Sequence, residues 1–331
     1  MVRISGRYIL KRTIYAVVTL FAVTCINFAI PRLMPGNPLV YFANPHIITS
    51  PTAMHALEER FGLDKSVWVQ FTLYFRNLLS WPPNFGVSYL FYPTPVFTVI
   101  IQYLPWTLFL VGVSTLITAL IGIFVGIWTG SKPGSKVDTV VISLSMILWT
   151  MPFFWLGIIL LWIFGLWAHL FPIAGAATRG FSASNPLTFA DAPDVLWHAF
   201  LPMMTLIIAA YAGYSLIMRN TMVNELSQDY ILMARAKGLK ERAVLLRHAA
   251  RNAMLPMITL IGLNLGYVVS GALLVEIVFA YPGVGYLTYR AVLAHDFPLL
   301  QGLFFIVSLT VVVANYLADL AYSFFDPRIK Y

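Results

Sequence analysis

Side chains that could do acid, base or metal chemistry are few in this sequence and lie far apart. The six histidines do not occur at the spacing of metal ligands, and there is no His-Glu-x-x-His pattern. The sequence also lacks a phosphate-binding Gly-Lys-Ser/Thr loop and a Gly-x-Gly-x-x-Gly fingerprint. We therefore expect a chain that is not an enzyme, has no catalytic residue or metal site, and neither binds nor hydrolyses nucleotide itself.

The charged residues concentrate in one segment, residues 219–256, between two long apolar runs. From Asn224 to Lys237 it contains neither glycine nor proline, and Gly238 follows, which predicts a helix that ends at a glycine turn. A second helix is predicted from about Lys240 to Met254, ending before Pro256. Two short polar helices suit docking into a groove on a cytoplasmic partner, and a solvated basic loop is the alternative.

The composition predicts the environment in which this segment is held. Of the residues, 60% are hydrophobic and only 10% charged, whereas soluble domains have about 25% charged residues. We therefore predict an all-α, polytopic membrane protein, and we attribute the net charge of +8 to cytoplasmic loops and lipid headgroups rather than to nucleic acid. Six segments are long and apolar enough to cross a bilayer. They are approximately Arg12 to Ile30, Tyr103 to Thr129, Asp138 to Leu166, His198 to Met218, Pro256 to Phe279 and Leu299 to Phe325.

The distribution of lysine and arginine predicts the orientation of these spans. With a cytoplasmic N-terminus, 15 of the 21 basic residues fall on the inside and six on the outside. Both termini are therefore expected in the cytoplasm, and the first apolar run is expected to be an uncleaved span. The predicted organisation is an N-terminal end and first helix over residues 1–30, an extracytoplasmic loop over 31–102, and a core of five helices over 103–331.

Three patterns predict local structure around the spans. In the outer loop, apolar residues at helical spacing from Val67 to Leu79 predict an amphipathic helix starting near Asp64, which lies on the membrane or packs over the spans. The long third span is expected to bend at Pro152. Glycines four residues apart predict close helix packing on one face of two spans. These glycines are Gly122, Gly126 and Gly130 in the second span, and Gly262 and Gly266 in the fifth.

From Asp229 to Pro256 the sequence reads DYILMARAKGLKERAVLLRHAARNAMLP. This pattern resembles the cytoplasmic coupling loop of ABC importer permeases, in particular the first permease subunit of dipeptide and oligopeptide systems. Where the wider importer motif begins Glu-Ala-Ala, this chain has Leu232, Met233 and Ala234. Other motifs extend the resemblance over essentially the whole chain. They are Pro35 to Pro38, Asn84 to Ser88, Glu276 to Gly285, Asp296 to Gly302 and Asp326 to Arg328.

The resemblance implies the type I ABC importer transmembrane fold in the cell membrane, and a non-catalytic subunit whose partner ATPases bind ATP and magnesium. A second permease subunit and an extracytoplasmic substrate-binding protein are the other implied partners, besides membrane lipid. The residues implied in coupling to the ATPase are Glu225, Asp229, Tyr230, Ala234, Arg235, Ala236, Lys237, Gly238, Leu239, Arg247 and Arg251. Those implied on the side of the binding protein are Tyr281, Pro282, Gly283, Gly285 and Asp296.

The resemblance also suggests the substrate, with alternatives. Short peptides are the expected cargo, while members of the same family also carry oligosaccharides or nickel chelates. A secondary transporter is a less favoured interpretation, because the spans hold few carboxylates away from their ends and no inverted repeat is evident.

Overall fold

The computed structural model of the chain describes residues 6–33, 65–179, 191–266, 268 and 272–325. The motifs predicted at 35–38 and 326–328, and the predicted helix start at Asp64, lie outside these ranges. No strand occurs among the described residues, so the predicted all-α class is confirmed. The α-helices are α1 Gly6–Leu33, α2 Val67–Leu78, α3 Val96–Gly130, α4 Lys136–Thr150, α5 Phe153–Leu160, α6 Ala192–Leu226, α7 Asp229–Ala236, α8 Glu241–Ala243, α9 Ala250–Gly266, α10 Leu273–Val278, α11 Val284–Leu293 and α12 Phe297–Phe325. Two π-helical segments also occur: Leu161–Trp167 follows α5, and Val244–Ala249 joins α8 to α9.

The chain divides into two compact units. One contains Met1–Pro105 and Gly283–Tyr331, and the other contains Trp106–Pro282. While the three-part organisation stays a prediction, in this division the C-terminal residues belong with the N-terminal ones. The physical reason is that α12 packs along α1.

A buried amide joins these two helices in the first unit. Asn27, only 3% exposed, donates from Nδ2 to the backbone oxygen of Gln301 at 2.7 Å and to the Tyr74 hydroxyl at 3.3 Å. A polar side chain in an apolar helix needs such partners, since an unpaired amide is costly away from water. Asn27 therefore connects α1 to both α12 and α2.

The amphipathic helix predicted in the outer loop is α2, and it packs on a span. The Phe28 ring of α1 meets the Phe71 ring of α2 edge to face at a centroid distance of 5.1 Å. Phe21 and Phe75 make a second ring contact at 5.6 Å. The apolar face of α2 is thus used in part to cover α1, while Trp68 at its start remains 79% exposed.

The glycine stripe of α3 produces the close helix packing that its spacing predicts. An added β-carbon would approach the facing backbone of α6 too closely at each of the three positions, so only glycine fits there. At Gly262, by contrast, an added β-carbon would meet no atom within 4 Å. The close approaches at Gly122, Gly126 and Gly130 would be 2.4, 2.6 and 2.7 Å from the β-carbons of Tyr214, Met218 and Met222, respectively.

The predicted bend in the third span is also confirmed. Helix α4 ends at Thr150 and α5 begins at Phe153. The direction of α4 differs by 97° from that of Phe153–Trp167, which comprises α5 and the π-helical segment after it. Met151 between them is extended, with φ −71° and ψ 132°. This follows from Pro152, whose ring disfavours helical geometry at the preceding residue and which has no N–H to donate.

Four described helices are long and apolar enough to cross a membrane, and the bent pair α4 and α5 would make a fifth span. The four are Ile9–Ala29, Val96–Gly130, Ala192–Leu226 and Phe297–Tyr316. The predicted span from Pro256 to Phe279 falls on α9, which has 17 residues, and on the short α10. The chain is therefore a multi-pass membrane protein with four to five such spans among the described residues.

Candidate functional site

The charged segment folds into a short helix, a glycine turn and a second helical stretch. Helix α7 is followed by Gly238, whose φ is +78° and whose N–H donates to the Arg235 carbonyl at 2.9 Å. A positive φ is the left-handed conformation that glycine adopts at least cost. The turn predicted at Gly238 is therefore present.

The helix boundaries differ from the prediction at both ends of the segment. The predicted helix from Asn224 to Lys237 is divided, because α6 continues to Leu226 and α7 begins only at Asp229. The Ser227 hydroxyl donates to the Asn224 carbonyl at 2.7 Å, which satisfies a terminal acceptor of α6 and favours termination.

The second predicted helix does not end before Pro256, so that boundary was wrong. Helix α9 continues through Pro256 to Gly266. Both Ala253 and Met257, on either side of the proline, are fully buried. The free energy gained by packing these two side chains offsets the cost of the backbone hydrogen bond that the proline removes.

One face of the segment is anchored in the core of the second unit. Ile231 of α7 and Val244 of the π-helical segment are fully buried, and Ala234 is 6% exposed. They belong to one cluster of buried side chains from α3, α6 and α9. The other members are Ala119, Ile123, Tyr214, Met218, Met222, Ala249, Ala250, Ala253 and Met257.

The opposite face of the segment exposes apolar side chains among positive charges. Leu232, Met233 and Leu239 are 68%, 61% and 42% exposed, respectively. Exposed apolar groups at the helix surface of a polar segment indicate a contact surface for another macromolecule. We call these three residues and the exposed bases of the same segment the docking face. The exposed bases are Arg235, Lys237, Lys240, Arg242, Arg247 and Arg251.

An ion pair closes the glycine turn. The Arg235 guanidinium donates to both carboxylate oxygens of Glu241, at 2.7 and 3.3 Å. The hydrogen bond from Arg235 lowers the pKa of the Glu241 carboxyl, and the carboxylate raises the pKa of Arg235. In the described part of the chain, neither Arg247 nor Arg251 pairs with a carboxylate, so both are available to acidic groups of a partner.

Tyr230 joins the start of α7 to its neighbours. Its hydroxyl donates to the Glu225 carboxylate in the last turn of α6 at 2.5 Å. Asp229 lies exposed in the first turn of α7, where the positive end of the helix dipole stabilises its negative charge. Glu225 and Tyr230 therefore hold the segment in position from within the chain.

An ion pair at the start of this segment joins α6 to α4 and was not predicted. Arg219 donates to the two carboxylate oxygens of Asp138 at 2.8 and 2.7 Å. Asp138 is 2% exposed and also accepts the Gly134 N–H at 2.8 Å. The loop before α4 is thereby joined to α6. The only sequence signal for this pair was the presence of two opposite charges at predicted span ends.

Comparison with known proteins identifies the family to which this arrangement belongs. Residues 122–331 match the family described as binding-protein-dependent transport system inner membrane component. Residues 5–111 match the N-terminal membrane component of the same transport systems. The chain belongs to this family.

Relatives of this permease are similar over nearly their whole length. It is 35% identical to the oligopeptide transport system permease protein of Bacillus subtilis over 324 residues, which is 98% of this chain and 99% of the relative. The dipeptide transport system permease proteins of Lactococcus lactis and Escherichia coli are 31% and 32% identical, with the same coverage of 98% and 99%. The resemblance found in the motifs of the sequence is therefore confirmed.

The residues implied on the binding-protein side of the permease are buried in the chain. Tyr281 and Pro282 lie in the second unit, and Gly283 and Gly285 in the first, and all four are buried. Asp296 is fully buried as well. None of these side chains offers an exposed surface within this chain.

Asp296 instead holds two motifs of the permease together in the first unit. One carboxylate oxygen accepts from the Ser88 hydroxyl at 2.5 Å and from the N–H groups of Tyr89 and Leu90 at 2.8 and 2.9 Å. The other oxygen accepts the Leu299 N–H at 3.0 Å, which caps the start of α12. Four donors around one carboxylate satisfy a charge that would otherwise be costly to bury.

Proposed function

We propose that this chain is one of two permease subunits of an ATP-driven importer that carries short peptides. The observation that carries the proposal is the docking face, an exposed apolar and basic surface on a segment whose opposite face is anchored in the core. The relatives named as oligopeptide and dipeptide transport permeases support peptides as the cargo. The chain itself is proposed to be non-catalytic.

The partner of the docking face is proposed to be a separate ATPase subunit that binds ATP and magnesium. Leu232, Met233 and Leu239 would enter an apolar groove on it, while Arg247 and Arg251 meet acidic groups at the rim. The missing glutamate of the wider importer motif fits this view. In its place Leu232 adds apolar surface to the contact.

Coupling follows from the way the docking segment is anchored. Ile231 and Val244 pack in the same buried cluster as Met218 and Met222 of α6. A close-packed cluster transmits displacement because it has no space to absorb it. When ATP closes the ATPase pair, displacement of α7 would therefore move α6, and α3 would follow along the glycine stripe.

The proposal includes the type I importer fold with six spans, and it places both termini in the cytoplasm. The sixth span would be formed by α9 and the residues up to Phe279. The excess of lysine and arginine on the proposed inner side supports this orientation. A substrate-binding protein would then deliver cargo to the opposite side.

Reconstitution in proteoliposomes tests the proposal. The chain is purified together with the second permease and ATPases encoded beside it, and uptake of labelled peptides is measured with the binding protein and ATP. The proposal predicts uptake that requires all components and stops without ATP. Uptake driven by an ion gradient alone would instead identify a secondary transporter, and uptake of only oligosaccharides or nickel chelates would reject the peptide cargo.

A further inference from the structure

The second unit contains a cavity of about 680 Å³ at the bend between α4 and α5. This volume is within the range of sites that hold small ligands, about 300–1,000 Å³. Walls come from α3, from the bend itself, from α6 and from α9. Among the residues that the structure describes, no charged side chain lines the cavity.

Ser114 lies in the α3 wall of this cavity, and its hydroxyl oxygen is covered. It lines the cavity on α3, is 1% exposed, and its hydroxyl has no hydrogen-bond partner among the described residues. The adjacent Thr115 hydroxyl, in contrast, donates to the Val111 carbonyl of its own helix at 2.7 Å. Serine and threonine in helices commonly make this internal bond. A buried hydroxyl without a hydrogen-bond partner is costly unless a ligand supplies that partner.

A second polar group lies across the cavity. Asn264 of α9 donates from Nδ2 to the Tyr214 hydroxyl of α6 at 2.7 Å. This geometry leaves the Tyr214 O–H as a donor and the Asn264 amide oxygen as an acceptor. These two groups give the cavity a donor and an acceptor, and no described charged residue accompanies them.

We infer that this cavity is a subsite for the uncharged middle of an oligopeptide in transit. Backbone amides present one donor and one acceptor per residue, which matches the neutral hydroxyl and amide groups of the wall. Apolar surfaces such as Leu206, Phe153 and Trp149 can accommodate uncharged side chains. A charged terminus or charged central side chain would lose its hydration without a counter-charge. The inference rests on the proposed peptide import and deepens it by naming a site and a preference.

Gly213 allows a specific test because it lines the cavity on α6. A β-carbon added there would meet no atom within 4 Å. Gly213→Leu should therefore narrow the cavity without a clash at the β-carbon. Gly262→Leu is the matched control, since Gly262 is also a helical glycine with open space at the β-position but does not line the cavity.

The experiment measures uptake of two labelled pentapeptides, Ala-Ala-Phe-Ala-Ala and Ala-Ala-Glu-Ala-Ala, by the reconstituted complex. The parent complex should prefer the peptide with the central phenylalanine. Filling a packed site should reduce uptake of this peptide by about tenfold in Gly213→Leu. Gly262→Leu should retain the parental rate. Parental uptake by Gly213→Leu, or an equal loss in both variants, would overturn the subsite.

Labelling of a cysteine gives a measurement that does not depend on the Gly213 variant. In a Cys25→Ala background, Ala210→Cys, which replaces an exposed alanine of the cavity wall, is labelled with a small neutral thiol reagent while the complex transports the first pentapeptide. The inference expects labelling to slow during transport. Unchanged labelling during active uptake would overturn it and would favour a lipid chain as the occupant. If the parent complex imports no peptide at all, both the proposed function and this inference fail. If the parent complex imports peptide but the variants show no effect at the cavity, only the inference fails.

Discussion

Asp138 and Arg219 form a two-point ion pair between the start of α4 and the C-terminal half of α6. The residues are 81 positions apart in the sequence, and their oxygen and nitrogen atoms are 2.8 and 2.7 Å apart. Because the same carboxylate accepts the Gly134 N–H, the pair also fixes the loop that precedes α4. Arg219 lies one turn before Met222, which packs with the anchored face of the docking segment. The ion pair thus constrains α6 close to where α7 would act on it.

Breaking this ion pair should destabilise the permease. Asp138→Ala leaves the Arg219 charge without its main partner. Since Arg219 is 21% exposed and keeps part of its hydration, the cost should lie between the about 0–1 kcal/mol of a surface pair and the about 3–5 kcal/mol of a fully buried one. We expect a clearly lower melting temperature of the purified complex and reduced peptide uptake. Asp191→Ala is a suitable control, because its partner Arg179 is 39% exposed and surface pairs contribute about 0–1 kcal/mol. Equal melting temperatures of the two variants would contradict the structural role of the Asp138 pair.

The glycine stripe provides a second prediction about stability. In Gly126→Ala the new β-carbon would lie 2.6 Å from the Met218 β-carbon and 2.7 Å from the Ser215 carbonyl oxygen. The helices would have to separate, at a cost of about 1–3 kcal/mol for overpacking. Gly262→Ala has no such contact and should be neutral or more stable by up to about 1 kcal/mol, since alanine favours a helix over glycine. The melting temperatures of the two variants in detergent are compared with that of the parent protein. An equal change in melting temperature in both variants would argue against close α3–α6 packing.

Several features of the fold followed from local patterns in the sequence. The end of α4 was predictable because a proline disfavours helical geometry at the residue directly before it. The positive φ of Gly238 was predictable because it depends only on the residues of the turn itself. Even the contact of α3 with a neighbouring helix was predictable, since a glycine every four residues is visible in one helix alone. The partner helix α6 was not predictable from that spacing.

What the sequence left open depends on contacts between distant residues. The ion pair of Asp138 with Arg219 is one example, and the bonds of Asp296 to the Ser88 loop are another. The motif of Asp296 gave it an expected place on the binding-protein side, but it could not indicate a hydrogen bond with Ser88, which is 208 positions away. Pro256 was expected to end a helix, but packing of Ala253 and Met257 keeps the helix intact. None of these outcomes can be deduced from neighbouring residues.

Charge placed on the docking face should weaken association with the ATPase. Met233 is 61% exposed, so Met233→Asp should fold, and it would put a carboxylate into the proposed apolar groove. A central apolar anchor contributes about 2 kcal/mol or more to binding, which predicts about a thirtyfold weaker association. Co-purification of the ATPase and titration with purified ATPase measure this effect.

Leu79→Asp serves as the control for that experiment. Leu79 is an apolar residue that is 82% exposed next to α2 in the proposed outer loop, far in sequence from the docking segment. It should leave ATPase association unchanged. ATPase binding of the Met233→Asp variant at the parental affinity would reject the docking face.

The glycine turn between α7 and α8 should decide how well ATP hydrolysis is coupled to transport. Gly238 has a φ of +78° and no atom within 4 Å of an added β-carbon, so a substitution there is strained by backbone conformation and not by a clash. In Gly238→Val the branched side chain disfavours the left-handed conformation by about 1–2 kcal/mol, and the turn should relax and displace α7. Gly238→Asn should retain most function, because asparagine tolerates this conformation. The measurement is the ratio of peptide imported to ATP hydrolysed by the reconstituted complex, which should fall in the valine variant. A parental ratio in Gly238→Val would show that coupling does not require the conformation of this turn.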